Sequence, residues 1–333
     1  MLTRADESDL IDDIKDGIGI ALNWRGASAN SIDSIKLNKL VYLAVKRLNI
    51  PITFGWYKYG PAPVDLQYSE TAVRSKTQEE CDAPHESRLP ERDFYSPLEY
   101  AYFFDNELDD FEQILQAPTK EFLVSFYKRE APDKYKSLYI KNAQLQQILD
   151  EIESDASWHE DVDIYYREIS QRAGELTREL MQIESLRETQ SSFRKYVRFL
   201  KSLIAHTSEH DSLSDTQQRF VKRIVGYYYG GAWKYVGLKI SENTVHLSPG
   251  TNQQKLLTSI ENDRQEIRAD INDDLDRFKE RAAVLELTED ESQKRTVQES
   301  HDENQPLDQD YAELWARANA EALSISYTKD TDE

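Results

Sequence analysis

Val162, Tyr166, Ile169, Ala173, Leu176, Leu180 and Ile183 follow one another at alternating steps of four and three residues. A strand cannot carry such a series on one face, because its side chains alternate with a period of two. A helix, turning once in about 3.6 residues, can. The spacing is that of a coiled-coil seam. Ile267, Ile271, Leu275, Phe278, Ala282 and Leu285 repeat it, led in by Leu256 and Ile260. Two amphipathic helices with matching seams are expected to pack on each other as an antiparallel pair within the chain. A homodimer through the seams is the alternative, disfavoured because few heptads are involved.

The N-terminal part has the same helical texture. Leu10, Ile11, Ile14, Ile18, Ile20 and Leu22 fit a first amphipathic helix, with Gly17 and Gly19 as weak points, and "GASANS" breaks it. Ser31 or Asp33 can cap a second helix, on which Ile32, Ile35, Leu40, Leu43, Ala44 and Leu48 recur near helical spacing. Lys36, Lys39, Lys46 and Arg47 are expected elsewhere around it, and Pro51 to stop it. "ITFGWYKYG" then reads as a strand that Gly60-Pro61 ends. A helix is expected from Pro63-Val64, an exposed loop over 75–95, and helices near 97–115, 119–129 and 133–153.

The run "QRFVKRIVGYYYGGAWKYVGLKI" at 218–240 stays open: a buried helix that runs on, one that turns at Gly230-Gly231, or a helix followed by a short strand. Residues 290–307 have almost no apolar content and read as a disordered linker. Beyond it, Tyr311, Leu314, Trp315, Ala318 and Leu323 fit a short amphipathic helix. The fold class is therefore mainly α: an N-terminal helical domain with a short β-hairpin or strand element over 1–135, then a helical bundle with a coiled-coil-like helix pair over 136–289. An acidic linker over 290–307 and a short helix with a polar tail over 308–333 complete it.

Asp and Glu number 62 against 41 Lys and Arg in 333 residues, a formal net charge of -21. Such a field repels nucleic acid unless a local basic patch overrides it. It also suits a halophilic protein kept soluble in molar salt; stability that falls as salt is withdrawn would support that reading. Cys81 is the only cysteine, so neither an internal disulfide nor a cysteine zinc site can form. No signal-peptide core or membrane-length apolar stretch is evident, and the expected location is cytoplasmic, with no membrane partner.

Chemical signatures are sparse. There is no phosphate-binding glycine loop and no nucleophile elbow, and Cys81 sits between Glu80 and Asp82, which discourages a thiolate. His206, Glu209 and His210 in "HTSEH" match an inverted zinc-peptidase pattern, but "DSLSD" follows at once, so the motif straddles a helix end. His159, Asp161 and Asp163 could gather a cation, yet acidic residues also suit the first turn of a helix. The chain is expected to be no enzyme and to need no cofactor or metal. Two basic clusters, Lys36–Arg47 and Arg194, Lys195, Arg198 and Lys201, give the alternative of a DNA-binding regulator with a winged-helix-like N-terminal domain.

"KLNKLVYLA" at 36–44 and "WYKYGPAPVDL" at 56–66 together resemble the Panacea domain, an antitoxin domain of toxin–antitoxin systems. Lys36, Leu37, Lys39, Leu40, Tyr42 and Ala44 fit its helical element. Trp56, Tyr59, Gly60 and Pro61 fit its aromatic-turn element. The spacing between the two is shorter than usual, and the second proline falls at Pro63. The resemblance implies a non-enzymatic protein that neutralises or positions a partner protein, such as a toxin encoded nearby, by direct binding. Lys36, Lys39, Tyr42, Trp56, Tyr57, Tyr59, Gly60 and Pro61 are then the candidate partner-binding residues.

Overall fold

The computed structural model describes residues 4–63, 95–155, 157–210 and 212–287. The expected loop before Tyr95, the helix from Pro63-Val64, Cys81, the acidic linker and the C-terminal helix lie outside the described residues. The described chain is mainly α with one antiparallel two-stranded hairpin, and it divides into two compact units. One takes the chain up to Ser125 together with Ser241–Glu261. The other takes Phe126–Ile240 and the chain from Asn262.

In the first unit, α1 (Arg4–Trp24) runs through the two glycines expected to be weak points. Gly17 is where α3 (Pro97–Tyr102) lies against it: a Cβ there would sit 2.4 Å from Tyr100 Cβ and 2.9 Å from the Pro97 carbonyl oxygen. The glycine sets the closeness of two helices. Leu10, Ile14, Ile18 and Leu22 are buried on the same helix, each such side chain contributing about 1.5–3 kcal/mol relative to exposure.

Asp33 is the cap of α2 (Ser34–Leu48), its carboxylate accepting from Lys36 N at 2.7 Å. Asn49, left-handed at φ 56°, closes the far end before Pro51. Strands β1 (Phe54–Tyr57) and β2 (Gly60–Pro63) follow, pairing Tyr57 with Gly60 and Phe54 with Pro63. The turn therefore lies at Lys58-Tyr59, two residues earlier than the Gly60-Pro61 turn expected. Lys58 and Tyr59 keep negative φ and Gly60 takes +92°, the arrangement of a type I turn closed by a glycine bulge. Gly60-Pro61 begins the returning strand.

Both outer edges of this hairpin are occupied. Phe54 N donates to Ser248 Oγ at 3.0 Å and Trp56 N to Thr244 Oγ1 at 3.4 Å. These two amides point away from β2, so their partners Pro63 and Pro61 face outward on the other side, where neither has an N–H to offer. Just before β1, Thr53 N donates to the buried Glu7 carboxylate at 2.8 Å, and Thr53 Oγ1 and Thr251 N donate to its other oxygen at 3.0 Å. Ser248, Thr244 and Thr251 come from a stretch some two hundred residues downstream in the chain, which is why Ser241–Glu261 belongs to this unit. The helical elements α4 (Phe111–Gln116) and α5 (Thr119–Glu130) follow α3.

The second unit is a bundle. Helix α7 (Val162–Gln182) buries Val162, Ile169, Ala173, Leu176 and Leu180 and packs on α6 (Asp133–Ser154) and α8 (Arg187–Thr207). Tyr166, part of the predicted seam, is 39% exposed instead. The second seam, on α11 (Gln253–Val284), buries Ile271, Leu275, Phe278 and Ala282. Phe278 lies edge-on to Tyr227 at 5.0 Å, and Asn272 accepts from Lys195 of α8 at 2.8 Å. The predicted pairing of the two seams thus gives way to a bundle in which each has other neighbours.

The open stretch at 218–240 is helical throughout. α9 (Asp215–Tyr227) passes through a π turn (Tyr228–Ala232) into α10 (Trp233–Thr244). Gly231 is required there, since a Cβ would fall 2.2 Å from the Tyr227 ring. At the junction Tyr228 N donates to the Val225 oxygen, and the Tyr196 hydroxyl donates to the Ile224 oxygen at 3.0 Å. Tyr228 OH donates to Asn142 Oδ1 at 2.6 Å, Asn142 Nδ2 donates to Tyr229 OH at 3.1 Å, and Tyr229 OH donates to Gln146 Oε1 at 2.5 Å. Burial pushes the Tyr196 and Tyr228 phenols far above their ordinary range, so both remain donors.

Candidate functional site

Of the eight residues the sequence nominates, six are internal. Lys36 and Lys39 were expected on the polar side of α2, yet they are 5% and 1% exposed. Lys36 Nζ donates to the Ser31 and Leu115 carbonyl oxygens, each at 3.2 Å. Lys39 Nζ donates to the Pro61 carbonyl oxygen at 3.0 Å, the outward acceptor of β2. Tyr42, one turn further along α2, stands edge-on to Phe54 at 5.0 Å and to Trp56 at 5.7 Å. Trp56, Gly60 and Pro61 are buried with them, whereas Tyr57 and Tyr59 are half-buried. The hairpin lies on α2 through β2, and these side chains hold it there.

The electrostatics of this lock are those of a buried cation. Desolvation lowers the Lys39 ammonium to about 7, and the nearby Asp33 carboxylate acts in the opposite sense. Lys36 is lowered likewise by burial, with Asp33 again opposing it. Lysines poised near neutrality do serve as bases and nucleophiles, but Lys39 Nζ is buried and donates to a backbone oxygen.

The other candidates fall apart in space or are otherwise engaged. α8 ends at Thr207, inside the "HTSEH" stretch. His206 Nδ1 lies 2.8 Å from the Ser202 oxygen and His210 Nε2 lies 3.0 Å from the Glu286 oxygen. Among the described residues no group of three His, Cys, Asp or Glu is arranged to hold a metal ion. Asp161 occupies the capping position before α7 without making a capping bond, and Asp163 lies in the first turn. Of the α2 cluster only Lys46 and Arg47 are exposed, so that helix presents half the cations a phosphate-reading face was expected to have. Arg194, Lys195 and Arg198 are exposed on α8.

A different surface of the first unit draws attention. Tyr95, Leu98 and Tyr102 are 39%, 44% and 56% exposed, although they are large and apolar or aromatic. Leu98 and Tyr102 are four residues apart on α3 and so share a face. The Tyr102 ring lies 5.1 Å from the half-buried Trp24 at the end of α1. Behind them Pro97, Tyr100 and Ala101 are buried against α1. Ser96 and Glu99 form a full capping box that starts the helix. A π turn (Phe103–Glu107) continues it, burying Phe103 and Phe104. The signal was present in "SPLEYAYFF", where Glu99 is the one charged residue and apolar or aromatic side chains lie on both sides of the helix, whereas a helix packed on one side needs only one apolar stripe.

A family described as a domain of unknown function (DUF8098) matches residues 1–312. The chain belongs to that family. No curated protein and no solved structure matches it.

Membership of the DUF8098 family overturns the resemblance to the Panacea domain, which is not detected in the chain. Both quoted stretches fall inside the DUF8098 match. Their residues explain the likeness physically. A lysine that closes a strand edge, an aromatic at the next turn and a Gly-Pro return strand are what packing a hairpin on a helix calls for, whatever the ancestry. The toxin–antitoxin role rested on that resemblance and loses its support with it. No helix among the described residues of this DUF8098 protein is long and apolar enough to cross a membrane.

Proposed function

We propose that the protein works by binding another protein, without catalysis, and that the surface formed by Tyr95, Leu98, Tyr102 and Trp24 makes the contact. The observation that carries this is the exposure of Leu98 and Tyr102 on one face of a short, firmly seated helix, with Tyr95 exposed just before it. Isolated exposed apolar groups are ordinary, whereas clustered ones rimmed by polar residues mark interaction surfaces. Aromatic side chains supply the anchors of such contacts because they bury much area at low entropic cost. The close approach of α1 and α3 at Gly17 keeps the surface pre-formed, which lowers the cost of association.

The nominated residues of α2 and the hairpin take a supporting part in this reading, because they are spent on internal packing. A photo-crosslinking side chain placed at Tyr102 in cells is expected to trap a discrete partner, and one placed at Ile164 of α7, which is also exposed, is not. Equal trapping at both positions, or at neither, rules the proposal out.

A further inference from the structure

We infer that the segment this surface accepts is a cationic amphipathic helix, which sets aliphatic or aromatic side chains on Leu98 and Tyr102 and Lys or Arg side chains on Glu107 and Asp109. This rests on the binding role proposed above and adds the chemistry of what is bound.

Three observations carry it. The first is shape. Leu98 and Tyr102 form a short ridge along α3, flanked by Trp24. A ridge of helix spacing is matched by the groove of another helix. An extended partner would need backbone groups to pair with, and α3 satisfies its own.

The second is the rim. The π turn that continues α3 brings Asn106 and Glu107 onto the turn beyond Tyr102, where the Asn106 amide donates to the Tyr102 carbonyl oxygen at 3.4 Å. Glu107 and Asp109 are exposed there. Arg25, a cation of the described residues that pairs at this turn, is already committed: it donates to Asp105 Oδ1 and to the Asp105 carbonyl oxygen, each at 2.7 Å, and pairs with Glu112 at 3.5 Å. The rim thus presents uncompensated negative charge. The third is the whole-chain charge of -21, which opposes a second copy of this chain and favours a basic partner at long range.

The test uses the purified full chain and two synthetic helices with the same leucine ridge, one carrying Lys at all other positions and one carrying Glu. Binding is read by fluorescence anisotropy over a salt series, with sedimentation to detect self-association. The Lys helix is expected to bind, and Leu98→Ser with Tyr102→Ser to weaken it at least about tenfold. Ile164→Ser leaves it unchanged. Glu107→Lys with Asp109→Lys, which keeps the apolar ridge, is expected to move preference toward the Glu helix. Four results overturn the inference: no binding of the Lys helix, equal binding of both helices, indifference to the ridge variants, or self-association that the ridge variants abolish. If crosslinks form at Tyr102 in cells while the Lys helix fails to bind, the binding role stands and only the cationic partner is lost. If neither occurs, both fall.

Discussion

Lys39 Nζ lies 3.0 Å from the Pro61 carbonyl oxygen, and both residues are buried. A helix thereby supplies the donor that a neighbouring strand would otherwise give to β2. The arrangement places a cation where burial lowers its affinity for a proton.

That placement has a pH signature. The folded Lys39 titrates at about 7, against 10.5 as the ordinary value. Below the lower value both folded and unfolded chains are protonated, and the full cost of burying an ammonium is present. Between the two values the unfolded chain binds more protons, so stability rises with pH. Lys39→Met removes this contribution. The stability of the wild type relative to Lys39→Met should therefore climb by up to about 4 kcal/mol between about pH 7 and about pH 10. Denaturant melts at a series of pH values measure it, and a flat difference would contradict it.

Ser248 bridges two backbone groups, accepting from Phe54 N and donating to the Ile52 carbonyl oxygen, each at 3.0 Å. Ser248→Ala leaves a buried amide and a buried carbonyl without these partners. A loss of about 2–4 kcal/mol is expected. Thr258→Ala removes a hydroxyl bond to the Gln254 oxygen on an exposed helix face and should cost no more than about 0.5 kcal/mol. Hydrogen exchange of Phe54 N should accelerate in the first variant alone.

Two glycine substitutions should act in opposite directions. At Gly250 a Cβ would lie 2.1 Å from Thr53 N and 2.5 Å from the Ile52 carbonyl carbon, both backbone atoms that cannot swing aside. Gly250→Ala is expected to cost more than about 3 kcal/mol. Gly174 lies within α7 with nothing near its missing Cβ, so Gly174→Ala should raise stability by about 0.5–1 kcal/mol. Thermal melts of the two variants on either side of the wild type would verify the contrast.

Asn142 holds the tyrosine hydroxyls at the π turn. Asn142→Leu leaves the Tyr228 hydroxyl buried without its acceptor and should cost about 3 kcal/mol. Adding Tyr228→Phe removes the orphaned hydroxyl and should restore part of that loss. A double-mutant cycle reads the coupling, and strict additivity would show that the network is not coupled.

The helices were legible in the sequence because their apolar spacing follows the core they face, as with Ile169, Ala173, Leu176 and Leu180. What the spacing could not convey was which helix met which: α7 found α6 and α8, and the second seam found Tyr227. Lys36 and Lys39 misled because a lysine reads as surface until the carbonyl oxygens it serves are known, and those belong to Ser31, Leu115 and Pro61. Gly60 was read as the turn because Gly-Pro usually marks one, whereas its positive φ here closes a turn already made by Lys58 and Tyr59. The exposed face of α3 was hidden by excess: apolar and aromatic residues lie on both sides of that helix and Glu99 is its one charged residue, so periodicity gave little hint of which side stayed outside.

The two prolines of β2 carry one last implication. A sheet grows when a passing strand finds amide donors along a margin, and this one offers none: hydroxyls hold the outward amides of β1, and Pro61 and Pro63 have none to give. The hairpin is therefore finite by construction. It resists templating the aggregation that a two-stranded ribbon invites at high protein concentration, and it can take no ligand by strand addition. Whatever the protein recognises, the outer margins of this hairpin have no backbone donor to give it.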